Sequence, residues 1–170
     1  PSHTRFKLED IVGPNVAPLA RMSVWIRDLT EEGIEPNPGP RFISWNLSGL
    51  NDPQLRNRLF SKIKSETDFR PISALFLQQH HLKPAAAGRI HADAKRHGLF
   101  IFISPISAYT TKGGSAIIIP RDQLGLKKGE TLNGAETRVR ASMTSAGAGR
   151  ITGVTTTVED REYRLIAAYA

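Results

Sequence analysis

An α/β fold is predicted for this chain by three observations. Between residues 42 and 98, apolar runs of strand length alternate with helical stretches that carry one apolar stripe each. From residue 99 onward, strand-like segments follow one another with turn residues between them. The composition, 39% apolar and 23% charged over 170 residues, is that of one ordinary globular domain.

The elements are expected in this order. Residues 1–32 form an N-terminal arm, irregular to residue 20 because Gly13-Pro14 and Pro18 interrupt it. A short helix is expected over 20–32, with Met22, Trp25, Ile26 and Leu29 as its apolar stripe. Residues 33–40, Gly-Ile-Glu-Pro-Asn-Pro-Gly-Pro, exclude helix and strand alike and read as a stiff linker. Phe42, Ser44 and Asn46 then alternate with Ile43, Trp45 and Leu47, a strand expected to be buried on both sides. Asp52 is placed to cap a helix that begins at Pro53 and runs to about Glu66. Its stripe is Leu55, Leu59 and Ile63, leaving Arg56, Arg58, Lys62 and Lys64 to solvent.

A second buried strand covers Ser73–Gln79 and ends in the polar run Gln78-Gln79-His80-His81. A helix from Pro84 to His97 is closed by Gly98. Further strands are expected at Leu99–Ser104, Ser115–Ile119, Thr137–Ser145, Arg150–Val158 and Glu162–Tyr169. Ala146-Gly147-Ala148-Gly149 reads as a hairpin loop and Glu159-Asp160 as a turn. On the last strand Tyr163, Leu165, Ala167 and Tyr169 share a face.

Charge and cysteine usage restrict the function. Residues 1–40 carry four basic side chains against six acids, so the formal +7 of the chain comes from a net +9 over 41–170. A polyanion such as nucleic acid suits that segment. With no cysteine there is neither a disulfide-linked partner nor a thiolate metal site, and a reducing compartment, nuclear or cytoplasmic, fits. No apolar run approaches 18 residues, so no membrane partner is expected.

Asn46, Gln79 and Tyr169 each fall at the C-terminal end of an expected buried strand. Neighbouring strands would bring the three side chains to one edge, a common location for a site. Asn46 has two readings, a group that reaches a phosphate or a metal-bound water, or one that closes a turn on its own backbone. His3, His91 and His97 show no metal-ligand spacing, and Lys127-Lys128 reads as a solvated turn.

Four segments in order resemble one family. Ile43-Ser44-Trp45-Asn46-Leu47-Ser48-Gly49-Leu50 resembles the first strand of the endonuclease/exonuclease/phosphatase family. Its nearest form is the abasic-site-like endonuclease domain of non-LTR retrotransposons. Leu77-Gln78-Gln79-His80-His81-Leu82 is similar to the second-strand signature, in which a Gln-Glu pair precedes Thr-His-Leu. Gly113-Gly114-Ser115-Ala116-Ile117-Ile118-Ile119 and Tyr163–Ala170 resemble the Gly-Gly strand and the strand that ends in the active-site tyrosine. The resemblance covers roughly residues 41–170.

It implies the N-terminal part of a two-sheet α/β sandwich, and an Mg²⁺-dependent endonuclease that nicks DNA to prime reverse transcription. DNA is then the partner, with retrotransposon RNA as a second. It also implies that Asn46 orients the phosphate, that Tyr169 bonds a non-bridging phosphate oxygen, and that Gln78 and His81 support them. Position 79 is the metal-binding Glu of the family and is Gln here. The lost charge is worth about 10 kcal/mol gross against Mg²⁺ at roughly 3 Å, a ceiling that desolvation of a carboxylate offsets. In the alternative, His80 or His81 helps to hold the metal.

The family's later Asp-x-Asn and Ser-Asp-His elements would lie beyond Ala170. An inactive, poorly soluble fragment is therefore expected, in which Leu99–Ile106 and the last strand lack partners. The linker adds a second resemblance. Ile34-Glu35-x-Asn37-Pro38-Gly39-Pro40 is similar to ribosome-skipping peptides of the 2A type, with Gly33 where that type usually has Asp. Rival expectations are a basic nucleic-acid-binding module without catalysis, or the relic of a decayed element.

Overall fold

The computed structural model describes residues 3–6, 23–27, 39–47, 49–69, 71–107 and 109–169. Strands β1 (His3–Phe6), β2 (Ser23–Arg27), β3 (Phe42–Asn46), β4 (Ala74–Gln78), β5 (Leu99–Ser104) and β6 (Ser115–Pro120) form one sheet, ordered β1-β2-β3-β4-β6-β5. Within it β3 and β4 run parallel and every other pair is antiparallel. Helix α1 (Pro53–Phe69) makes the crossover between the parallel pair, as such a connection requires. Helix α2 (Ala87–Arg96), entered through a 3₁₀ turn at Pro84–Ala86, links β4 to β5. Helix α3 (Leu132–Ala141) then leads to an antiparallel sheet of β7 (Thr144–Ala146), β8 (Ile151–Val158) and β9 (Arg161–Ala168).

The period-2 alternation of the large sheet sorts its side chains into two cores. Ile43, Trp45, Leu75, Leu77, Ile101, Ile103 and Ile118 point toward α1 and α2 and meet Leu59, Phe60, Ile63, Ile90 and Ala94. Ala74, Phe100, Phe102, Ile117 and Ile119 point the other way, onto Val154, Leu165 and Ala167 of the small sheet and Ala135 and Val139 of α3. The protein is thus a two-sheet α/β sandwich with helices on the outer face of the larger sheet.

Helix α1 begins where expected, Asp52 accepting the Gln54 and Leu55 amides at 2.8 and 3.2 Å. The β8–β9 turn is made by Glu159 and Asp160, both with positive φ, which matches the strands' twist. Gly98 after α2 likewise has positive φ. The β7–β8 hairpin turns through Gly147–Arg150, with Ala146 opposite Ile151.

Five expectations are corrected. Ser23–Arg27 is strand rather than helix, because its main chain pairs with the open edge of β3 as well as with β1; the rest of 20–32 lies outside the described residues. Residues 132–141 are helix rather than the start of a strand at Thr137. Thr131 caps the first turn by accepting the Gly134 amide at 3.1 Å, and Ala135 and Val139, one turn apart, both face the core. The strand β3 is buried on one side only, for Ser44 and Asn46 are exposed. Arg56 is 1% exposed, drawn into the helix-side core by Asp93, with Nε 2.9 Å from Oδ2. Finally, Leu99–Ser104 has cover on both faces, from α2 on one side and α3 with β8 on the other.

Among the described residues no helix is long and apolar enough to cross a membrane.

Candidate functional site

Parallel pairing sets Asn46 opposite Gln78, so β3 and β4 end side by side. Both side chains rise from the sheet face that the small sheet only partly covers. Ser44 lies between them, and the Gln78 amide donates to its hydroxyl at 3.0 Å. Phe42 and Phe76, earlier on the same face, are in ring contact with each other, and Phe42 also with Tyr163 of β9. The small sheet therefore covers the start of β3 and leaves its end open.

Past Gln78 the chain adopts an unusual path. Gln79 and His81 both have left-handed backbones, φ 59° and 57°. Such a conformation costs a non-glycine residue roughly 1–2 kcal/mol. Main-chain bonds hold it: the Gln79 amide donates to Gly114 and the His81 amide to Gly113, each at 2.8 Å. On the other side Leu47 donates to Gln78 at 2.8 Å and Leu50 to His80 at 2.9 Å. Three loops, those after β3, after β4 and before β6, are laced into one edge.

His80 is the peg of this edge and is fully buried. Its Nε2 lies 3.1 Å from the Ser104 carbonyl and 3.0 Å from the Ser115 carbonyl, so it carries the proton and donates to them. Nδ1 accepts the Leu82 amide at 2.9 Å. Burial lowers its pKa to about 4, against the opposing pull of the two carbonyls, so the ring is neutral. With both nitrogens engaged, His80 is no metal ligand. Its ring occupies the space a Cβ would take on Gly114, which itself has φ +88°.

Tyr169 enters from the small sheet. Its amide donates to Arg150 at 3.1 Å, and the Arg150 guanidinium stands 5.9 Å from the centre of its ring. The phenolic oxygen lies against Gly113, where any Cβ would collide with it. The Gly113-Gly114 pair thus admits the tyrosine hydroxyl on one side and the His80 ring on the other. Asn46, Gln78, Gln79, His81 and Tyr169 are accordingly gathered around one end of the sandwich. His81 is half-buried, and its pKa is lowered first by burial and then by Lys112.

The linker residues Ile34, Glu35, Asn37 and Pro38 lie outside the described residues. Gly39 is exposed and Pro40 half-buried at the entry to β3.

The donor set decides what this end can hold. It offers neutral amides from Asn46, Gln78 and Gln79, a phenol, and the cations Lys112 and Arg150. Among the described residues no group of three His, Cys, Asp or Glu is placed to hold a metal ion. Mg²⁺ prefers charged oxygens, so these residues do not fit it; amide and hydroxyl donors beside cations fit an anion.

Sequence reasoning missed His80 as a tie, and Lys112 and Arg150 as the cations of this edge. The adjacent glycines 113 and 114 were the available signal, since a glycine pair before a buried strand marks close approach of other groups.

The fold is similar to that of a solved structure. The crystal structure of the AP endonuclease LMAP from Leishmania major superposes with a TM-score of 0.52 at 16% identity, over 98% of this chain and 48% of that one. The chain therefore spans about half the length of that enzyme. A weaker likeness, TM-score 0.37 at 15% identity, is to the structure of a humanized D. rerio TDP2 carrying 14 mutations, over 74% of this chain and 47% of that one. No family model and no curated protein matches the sequence.

Proposed function

We propose that this chain is part of a retrotransposon-type DNA endonuclease that retains the phosphate-binding side of its site and has lost the charged metal ligand. As it stands it binds DNA without cutting it. The observation that carries this reading is that Asn46 stands in register with Gln78, whose following turn, Gln79–His81, meets Tyr169 at the Gly113-Gly114 pair. The Asn46 amide and the Tyr169 hydroxyl donate to non-bridging phosphate oxygens. Lys112 and Arg150 supply positive potential, in keeping with the net +9 over residues 41–170. Mg²⁺ is the metal the resemblance implies, and Gln79 is where it would have lost its carboxylate.

The test uses the full chain. Binding to a duplex oligonucleotide, followed by fluorescence anisotropy, is expected to persist in EDTA and to weaken steeply with salt. Asn46→Ala and Tyr169→Phe are each expected to weaken it several-fold, about one charge-assisted hydrogen bond. No nicking of plasmid DNA is expected with Mg²⁺, and Gln79→Ala leaves that unchanged. Gln79→Glu is the variant expected to gain Mg²⁺ binding. Robust Mg²⁺-dependent nicking by the unmodified chain would overturn the reading.

The Ile34–Pro40 segment favours the same retrotransposon origin. Prolyl-tRNA is a poor nucleophile, so the Gly39–Pro40 bond fails to form in part of the translated chains. Cell-free translation with reporters on both sides is expected to give separate products, and a single full-length product would count against skipping.

A further inference from the structure

A second polar cleft lies at the opposite end of the large sheet. Ser104 pairs with Ser115 at the candidate site's end, whereas Leu99 pairs with Pro120 roughly 17 Å away along β5. There the ends of α1 and α2 and the β6 exit surround a cleft of about 450 Å³, within the range of ligand sites. Its lining carries Lys64, Lys95, Arg96 and Arg121 against two acids, Asp68 and Asp122.

These four cations fall into two kinds. Lys95 and Arg96 sit in the last turn of α2, where positive charge answers the helix dipole, and each already holds an acid. Lys95 pairs with Glu136 at 2.7 Å, and Arg96 pairs with Asp93. Lys64 and Arg121 are exposed, and among the described residues neither is drawn into an ion pair. Two uncommitted cations on different elements facing one cleft are what a phosphate group needs from its receptor.

We propose that this cleft is a second nucleic-acid contact, in which Lys64 and Arg121 hold a backbone phosphate of a strand that does not pass through the Asn46–Tyr169 end. The inference stands apart from the reading of that end, since none of its residues is shared.

His97 makes the proposal measurable. Its ring lines the cleft, with Nδ1 3.4 Å from the Ser61 hydroxyl and the ring tilted against Phe60, their centres 6.0 Å apart. Burial lowers its pKa, the charges of Arg96 and Lys64 lower it further, and Asp93 opposes them. A phosphate in the cleft adds negative charge beside the ring and must raise that pKa.

The experiment follows the His97 and His81 ring signals by NMR in the full chain. Inorganic phosphate and a short single-stranded oligonucleotide are each titrated at constant ionic strength. Both probes are expected to move His97 and raise its pKa. The double variant Lys64→Ala/Arg121→Ala is expected to weaken that response about tenfold while the His81 response is kept. Movement of His97 with phosphate and not with the oligonucleotide would overturn the nucleic-acid assignment. A still His97 with both probes would overturn the site, whatever His81 does.

Discussion

Two buried polar knots lie back to back at the ends of β3 and β4, and they solve the cost of burial in opposite ways. His80 stays neutral and spends both ring nitrogens on main-chain groups. Arg56 and Asp93 stay charged and pair, and Arg56 adds a bond to the Leu50 carbonyl at 2.8 Å. Leu50 joins the two knots, since its amide donates to the His80 carbonyl at 2.9 Å. The neutral solution stands on the side where the chain needs an exact loop geometry for Asn46 and Tyr169. The ionic one stands behind it, where it clamps α1 to α2. A neutral peg fixes loops without placing charge beside the end proposed to bind phosphate, whereas an ion pair there would compete for it.

The largest effect is expected from breaking the ionic knot. Asp93→Ala leaves the Arg56 guanidinium buried without its carboxylate and is expected to cost about 3–5 kcal/mol in urea unfolding. Replacing both partners, as Arg56→Met with Asp93→Leu, is expected to recover most of that loss. A double variant as unstable as Asp93→Ala would show that the bonds to the 50–51 loop matter more than the unpaired charge.

Next is the neutral knot. Gly114→Ala puts a methyl group into the His80 ring on a backbone with positive φ, and is expected to cost about 3 kcal/mol and to weaken DNA binding. A variant with unchanged melting would mean that the ring has room to move.

The two knots also separate by pH. The pKa of His80 is about 4 in the folded chain against 6.5 when unfolded, so between these values the unfolded state binds more protons. Stability is therefore expected to fall as pH drops from about 6.5 to 4, by up to about 3 kcal/mol from this group, and to level off below. His81, His91 and His97 are shifted the same way, so the comparison is with His80→Gln, which should flatten the slope in part. An unchanged slope in that variant would remove His80 from the account.

The smallest effect sharpens the comparison from outside. Asp52→Ala frays the start of α1, one turn before Arg56, and is expected to cost about 1 kcal/mol by thermal melting while leaving the pH slope intact.

Local chemistry determined much of this molecule from its sequence. The strands 42–46, 74–78, 99–104, 115–120, 151–158 and 161–168 follow from short apolar runs, and α1 from Asp52-Pro53, because these signals act within a few residues. Asn46, Gln79 and Tyr169 were legible as a group because each ends an apolar run. What the sequence could not decide depends on partners far along the chain. Ser23–Arg27 is a strand because β3 offers an edge. Residues 132–141 are a helix because Ala135 and Val139 find a core face. Arg56 is buried because Asp93, 37 residues away, meets it. His80 became a structural peg, rather than a ligand, only when β5 and β6 brought the Ser104 and Ser115 carbonyls to its ring. Long-range pairing decides burial, and burial decides what a polar side chain is free to do.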